Sequence, residues 1–128
     1  IKKLVWHWNQ GEGDVGRTEL QYTNDFYALL NKRMIVYEAQ GVNLSTVDLH
    51  VIVTRIFAAF NATDPGVINA QNNFSKANFE ASYPSHVGKI KTFVVYDNDK
   101  AWHPDAVHEA AEGYNTEGYR LANYISKL

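Results

Sequence analysis

The sequence contains no cysteine, only three prolines and one methionine. Without cysteine, the chain has neither a disulfide framework nor a cysteine-ligated zinc or iron–sulfur site. No apolar run approaches the roughly 20 residues that a membrane-spanning helix needs. These absences exclude a disulfide scaffold and a cysteine metal centre, and we expect no membrane partner.

The charge is also nearly balanced. The 12 basic and 14 acidic side chains give a formal charge of −2, and 45% of the 128 residues are hydrophobic. The lack of excess positive charge argues against nucleic acid as a partner. The apolar content excludes a disordered chain, and the length predicts a single domain over residues 1–128.

Local patterns predict a strand and a helix in the first third of the chain. The apolar, aromatic run Ile1–Trp8 indicates a strand. Thr18 and Gln21 have the spacing of a capping box at a helix start, and Gly41 is placed to end that helix. Helical spacing then predicts a buried face formed by Leu20, Phe26, Tyr27, Leu30, Met34 and Tyr37.

The remaining elements continue the alternation of strands and helices. Val47–Ile56 is rich in β-branched residues and Ile90–Tyr96 is similar, so both indicate strands. Between them, Asp64 and Pro65 form a typical helix start, and the helix is predicted to stop before Pro84. Its expected core residues are Val67, Ala70, Phe74, Ala77 and Phe79. A final helical segment carries Leu121, Ala122, Tyr124, Ile125 and Leu128.

The order β-α-β-α-β-α predicts a three-layer α/β/α sandwich with a parallel sheet. In such folds, active-site groups gather on the loops that leave the carboxyl ends of the strands. Here those loops are Asn9–Gly16, Phe57–Asp64 and Asp97–His108.

The first of these loops is rich in glycine. Residues 11–16 fit G-x-G-x-x-G, but Glu12 and Asp14 bring negative charge where a dinucleotide pyrophosphate needs bare amides. A side-chain amide directly after a strand can instead donate to an oxyanion, and Gln10 beside Gly11 is the candidate. A polar turn that satisfies only its own backbone is the alternative.

The third loop holds an aspartate and a histidine three residues apart. Asp105 and His108 share one face of a helical turn, so the carboxylate can orient the imidazole as a general base. Asp105 as a simple helix N-cap is the alternative. His103 and His108 are poorly spaced as metal ligands on one helix, and we predict neither a metal nor another cofactor.

Three blocks of the chain, in order, resemble SGNH (GDSL-type) hydrolases of the sialate O-acetylesterase-like carbohydrate esterase branch. Residues 8–14 resemble the segment W-x-Q-G-E-x-D of that branch, and residues 68–71 resemble its R-x-A-Q segment. Residues 105–122 resemble its closing block D-x-x-H-x-x-x-x-G-Y…G…L-A. The resemblance spans the chain, and the flavodoxin-like fold of that family agrees with the sandwich predicted above.

The resemblance implies hydrolysis of an O-acetyl ester on a sugar through an acyl-enzyme. His108 would be the general base, Asp105 its orienting acid and Gln10 an oxyanion-hole donor, with Gly11 and Glu12 shaping that loop. The expected substrate-binding residues are Trp8, Asn9, Trp102 and His103. The family also suggests an extracytoplasmic, secreted or virion-associated location.

The nucleophilic serine of the family has no counterpart here. That serine belongs to a G-D-S-type block upstream of all three matching blocks. Ser75 and Ser126 are predicted within helices, Ser82 and Ser85 flank Pro84, and Ser45 precedes the second strand. We therefore expect a C-terminal portion of the hydrolase domain, with its sheet incomplete at the N-terminus and the serine supplied by a second polypeptide or an N-terminal fragment.

A catalytically inert module that binds carbohydrate or protein is the alternative function. Trp6, Trp8, Trp102 and Tyr96 would form an aromatic surface in that case, although core packing is favoured for Trp6.

Overall fold

The computed structural model describes residues 1–9, 16–55, 65–96 and 111–128. These residues form three strands and four helices, with a 3₁₀ turn at Pro84–His86. In chain order the elements are β1 (Lys3–Asn9), α1 (Glu19–Ala39), β2 (Asp48–Thr54), α2 (Pro65–Asn73), α3 (Lys76–Ser82), β3 (Thr92–Tyr96) and α4 (Ala111–Ser126).

The three strands form one parallel sheet in the order β1-β2-β3. Because crossovers between parallel strands are right-handed, this order places the helices between the strands on one face of the sheet. Side chains of α1, α2 and α3 accordingly share one apolar core with β2. Helix α4 contacts the opposite face, so the described residues form the predicted three-layer α/β/α fold with a parallel sheet.

The central strand β2 is buried on both faces. Leu49, Val51 and Val53 point into the core beneath α1, and each is fully buried. His50, Ile52 and Thr54 alternate with them and face the layer of α4, where they too are buried. A strand covered on both sides carries a continuous run of β-branched residues, and this run made β2 recognisable in the sequence.

Aromatic side chains dominate the core beneath α1. The ring of Phe26 stacks on Phe74 with centroids 4.3 Å apart, and it also contacts Trp6 and Trp8 of β1. The buried face of α1 consists of Tyr22, Phe26, Tyr27, Leu30 and Met34. The prediction of a buried Leu20 is wrong, since this side chain is 69% exposed. The buried face begins at Tyr22 instead, because Leu20 lies outside the arc that these five residues define.

Both ends of α1 follow the predicted capping pattern. The Thr18 hydroxyl accepts from the Gln21 amide, and the Gln21 side chain accepts from the Thr18 amide. Gly41 follows the C-cap residue with φ of 87°, a conformation that glycine adopts without strain.

The single helix predicted after Pro65 is wrong, because the structure divides it into α2 and α3. Pro65 is the first residue of α2 as expected. Ser75 lies between the two helices and caps α3, with its hydroxyl accepting from the amide of Asn78. In α3 Phe79 is buried, whereas Ala77, predicted in the core, is exposed.

Gly66 permits a close approach between the first turns of α1 and α2. A β-carbon at this position would lie 2.3 Å from the carbonyl oxygen of Arg17 and 3.0 Å from the amide nitrogen of Glu19. Both neighbours are backbone atoms, so a side chain here would force the two helices apart.

Helix α4 presents one narrow stripe to the sheet. Leu121 and Ile125 are half-buried, and most of the residues around them are exposed. Glu117 lies four residues before Leu121 on the same face, and it is the one buried residue among positions 115–128. The stripe that joins α4 to the sheet therefore begins with a carboxylate.

Candidate functional site

The last residue of each strand contributes a polar side chain to one cluster. In the sheet register Asn9 pairs with Thr54, and Thr54 pairs with Tyr96. Partners in register point to the same face, so all three side chains lie on the face covered by α4. The cluster thus occupies the carboxyl edge of the sheet, where α/β proteins place their active sites.

The carboxylate of Glu117 is the centre of this cluster. Its Oε1 accepts hydrogen bonds from Thr54 Oγ1 at 3.0 Å, from Tyr96 OH at 3.2 Å and from Asn9 Nδ2 at 3.4 Å. The residue is only 4% exposed. Removing a carboxylate from water is costly, and three donors on one oxygen offset part of that cost.

A histidine extends the cluster along β1. His7 Nε2 lies 2.8 Å from Thr54 Oγ1, and its ring stacks on Tyr96 with centroids 6.5 Å apart. Thr54 has one hydroxyl proton and gives it to Glu117, so His7 donates its Nε2–H to the threonine oxygen. A continuous chain of hydrogen bonds therefore runs from imidazole through hydroxyl to carboxylate.

Burial shifts the acid–base equilibria of both rings. Burial lowers the pKa of His7 below 6.5, while the nearby charge of Glu117 opposes that shift in part. Burial likewise raises the pKa of Tyr96 above 10.0, and a hydrogen bond with Thr54 opposes it. Both shifts favour the neutral imidazole and the protonated phenol, and each of these forms can donate the hydrogen bond described above.

A cavity of about 310 Å³ lies between β3 and α4, beside the cluster. Tyr96 and Val94 form its floor, and Leu121 and Tyr124 are among the residues of α4 that line it. Tyr96 therefore belongs both to the carboxylate cluster and to the wall of this cavity.

Most of the site residues predicted from sequence lie outside the described residues. The segments 10–15, 56–64 and 97–110 directly follow β1, β2 and β3 in the chain. The predicted residues that fall in them are Gln10, Gly11, Glu12, Trp102, His103, Asp105 and His108. Their roles stay predictions.

Two predicted substrate-binding residues, Trp8 and Asn9, are described. The ring of Trp8 packs against Trp6 and Phe26 on the α1 side of the sheet. Its indole N–H is buried and has no hydrogen-bond partner among the described residues. Asn9 is exposed and gives its amide to Glu117.

Three of the four aromatic residues of the alternative binding module are described, Trp102 lying outside the described residues, and these three lie on two faces of the sheet. Trp6 stacks on Phe26 with centroids 5.8 Å apart and packs against the core, as favoured from the sequence. Tyr96 lies on the opposite face beside His7. Trp6 and Trp8 therefore share no surface with Tyr96.

All five serines are described, and none is part of the carboxylate cluster. Ser45 lies in a turn before β2, at the amino edge of the sheet. Ser82 and Ser126 are the last residues of α3 and α4, and Ser85 lies in the 3₁₀ turn. The prediction that Ser75 lies within a helix is wrong, because it caps α3.

The sequence patterns indicated no role for His7, Thr54 or Glu117, and they indicated Tyr96 only as part of an aromatic binding surface. His7 lies two residues before the end of β1, and Thr54 is the last residue of β2. The sequence did contain a signal for Glu117. It lies four residues before Leu121 and eight before Ile125, so helical periodicity places it on the same buried face of α4 as these two apolar residues.

The described residues give no sign of a metal centre or a membrane span. No group of three or more histidine, aspartate or glutamate side chains among them is arranged to hold a metal ion. No helix in the described ranges is long and apolar enough to cross a bilayer.

Comparison with protein-family models, with curated proteins and with solved structures finds no match for this chain.

Proposed function

We propose that this chain contributes the general base, its orienting carboxylate and the oxyanion donor of a serine ester hydrolase. The substrate class is an O-acetylated carbohydrate, and the nucleophilic serine comes from polypeptide outside these 128 residues. His108 is the base, Asp105 orients it and Gln10 is the oxyanion donor. The proposal rests on their order in the sequence and on the resemblance to SGNH hydrolases.

One structural observation supports the proposal above the others. Asn9 directly precedes Gln10, and Tyr96 directly precedes the segment that carries Asp105 and His108. Both side chains bond the same oxygen of Glu117, at 3.4 Å and 3.2 Å. The two proposed halves of the site therefore begin at the ends of the two strands that flank β2, at the same edge of the sheet, although they lie far apart in the sequence.

The chemistry follows the pattern of acyl transfer to serine. His108 takes the proton of the serine hydroxyl as the oxygen attacks the acetyl carbonyl, and Asp105 stabilises the imidazolium. Gln10 donates to the oxyanion that develops on the carbonyl oxygen. His108 then returns the proton to the departing sugar hydroxyl, and water releases acetate from the acyl-enzyme by the same steps.

The outer edge of β1 supports a serine supplied by another segment. Among the described residues β1 pairs only with β2, and its side chains from Leu4 to Trp8 are half-buried. An added parallel strand on this edge would end beside Asn9. Such a strand would bring its carboxyl end, and a serine following it, next to Gln10.

The decisive experiment uses native material rather than a recombinant fragment. Intact mass, N-terminal sequencing and labelling with a fluorophosphonate would show whether a serine-bearing polypeptide accompanies the chain. Hydrolysis of p-nitrophenyl acetate and of an O-acetylated sugar by the reconstituted assembly would follow. We expect His108→Ala to lower kcat about 10³- to 10⁶-fold.

Ser85→Ala is the matched control, because Ser85 is exposed in the 3₁₀ turn and should leave the rate unchanged. Hydrolysis that survives His108→Ala at a near-normal rate would contradict the proposal. Sugar binding on a glycan array without hydrolysis, and insensitive to His108→Ala, would favour the binding module instead.

A further inference from the structure

Glu117 joins helix α4 to all three strands through a single atom. Adjacent parallel strands lie about 4.8 Å apart, so three strand ends span roughly 10 Å. Thr54 on the central strand is short and bonds Oε1 at 3.0 Å, whereas the longer Asn9 and Tyr96 reach it from the two sides. The side-chain lengths at the three strand ends thus match a common acceptor above the middle strand.

The positions of these bonds in the chain are as important as their number. Residues 10–15 follow Asn9 in the chain, and residues 97–110 lie in the chain between Tyr96 and Ala111, the first residue of α4. Both segments are therefore joined in the chain to strands or a helix that the hydrogen bonds of Glu117 connect.

We infer that Glu117 is a positioning residue, which sets the relative placement of the strand ends and of the first turns of α4. This role rests on the proposed function, since the segments it would position carry Gln10, Asp105 and His108. Glu117 is buried and acts through its hydrogen-bond partners.

Two variants of Glu117 distinguish the effect of the acceptor oxygen from the effect of the negative charge. All three donors use Oε1, so Glu117→Gln can keep an acceptor at that position, while it removes the charge and replaces Oε2 with an amide NH2. Glu117→Leu has a similar volume and removes the acceptor. If positioning depends on the hydrogen bonds, the glutamine variant should resemble the natural protein and the leucine variant should not.

Glu38 provides the matched control. It lies on α1 and its Oε1 forms an ion pair with Lys89 at 2.7 Å, away from the carboxyl edge. Glu38→Gln and Glu38→Leu make the same chemical changes without touching the cluster.

The first readout is amide hydrogen exchange over residues 111–126 in the full chain. We expect Glu117→Leu to speed exchange about tenfold, the factor that corresponds to the loss of one or two such hydrogen bonds. We expect Glu117→Gln to stay within about twofold of the natural chain. If Glu117→Leu does not fold, Thr54→Val, which removes the shortest of the three bonds, takes its place.

The second readout is the pKa of the His108 imidazole, measured by NMR titration of the same variants and of Asp105→Asn. A paired carboxylate raises a histidine pKa, so Asp105→Asn should lower that of His108 by about one unit. Glu117→Leu should lower it in the same direction, and Glu117→Gln and both Glu38 variants should not. If the hydrogen bonds of Glu117 only stabilise the fold, the pKa of His108 should be the same in the Glu117 variants and the natural chain.

Each pattern of results decides one question. Equal rates of amide hydrogen exchange in the Glu117→Gln and Glu117→Leu variants would show that the hydrogen bonds to Oε1 do not hold α4 against the strand ends, and would overturn the inference. Faster exchange in Glu117→Leu with an unchanged His108 titration, while Asp105→Asn shifts it, would overturn the positioning role and leave the proposed function standing. A His108 titration insensitive to Asp105→Asn would overturn the proposed function and the positioning role together.

Discussion

Thr54 Oγ1 donates a hydrogen bond to Glu117 Oε1 over 3.0 Å, and this bond joins the middle strand of the sheet to its outermost helix. Thr54 is fully buried and Glu117 is 4% exposed. The same hydroxyl oxygen accepts from His7, so one threonine connects the imidazole of β1 to the carboxylate of α4.

Replacing Thr54 by valine should therefore lower the free energy of unfolding more than the small change in side-chain shape suggests. Thr54→Val keeps the branched side chain but leaves Glu117 without its nearest donor and His7 without its acceptor. We expect the free energy of unfolding to fall by about 1 to 3 kcal/mol, as for other buried groups left unpaired. Urea unfolding followed by circular dichroism measures this change.

The exposed Thr46 offers the control for that experiment. Its hydroxyl donates to the carbonyl of Asn43 within a surface turn. Thr46→Val should change stability by less than about 0.5 kcal/mol. Equal effects of the two substitutions would contradict the importance of the buried hydroxyl.

Two glycine-to-alanine substitutions should act in opposite directions. Gly66→Ala places a β-carbon 2.3 Å from the Arg17 carbonyl oxygen, and backbone on both sides must move. We expect it to destabilise the protein by about 1 to 3 kcal/mol. Gly118→Ala meets no atom within 4 Å and lies inside α4, so the better helix propensity of alanine should stabilise by about 0.5 to 1 kcal/mol. Thermal melts of both variants would test the pair, and a destabilising Gly118→Ala would contradict this account of α4.

Stability should decline as the pH falls below 6.5. Burial lowers the pKa of His7, His50 and His86 in the folded protein. Between the folded pKa values and 6.5 the unfolded chain binds more protons, so protonation favours unfolding. The contribution of these three neutral histidines to the free energy of unfolding is complete above pH 6.5. It is lost as the pH falls through their pKa values in the folded protein. Urea midpoints at pH 7.5 and 5.5 measure the difference, and His7→Gln should reduce it. A midpoint that rises at pH 5.5 would contradict the argument.

Gln10→Ala tests the oxyanion role within the proposed hydrolase. With the serine-bearing polypeptide present, we expect kcat to fall about 10²- to 10³-fold and KM to change little, because the donor acts on the transition state. Gln40→Ala is the control, since Gln40 is an exposed residue at the end of α1. A loss confined to KM would contradict an oxyanion donor at position 10.

The ends of the helices were predictable from local sequence patterns. Thr18, Gln21, Gly41 and Pro65 mark helix ends through interactions with backbone a few residues away, so their roles were predictable. Ser75 was missed because the apolar spacing from Val67 to Phe79 continues across it. Only the structure shows that its hydroxyl starts a second helix.

The amino-acid sequence by itself determined the alternation of strands and helical segments, the parallel sheet and the core face of α1 from Phe26 to Met34, but not the break between α2 and α3. Periodicity, β-branching and capping are local properties, and each acts within a few residues. The cluster around Glu117 was decided only in the tertiary structure. It requires the register that aligns Asn9, Thr54 and Tyr96, and it requires α4 to lie across the carboxyl edge. Register and helix placement follow from packing among distant segments, which no local pattern specifies.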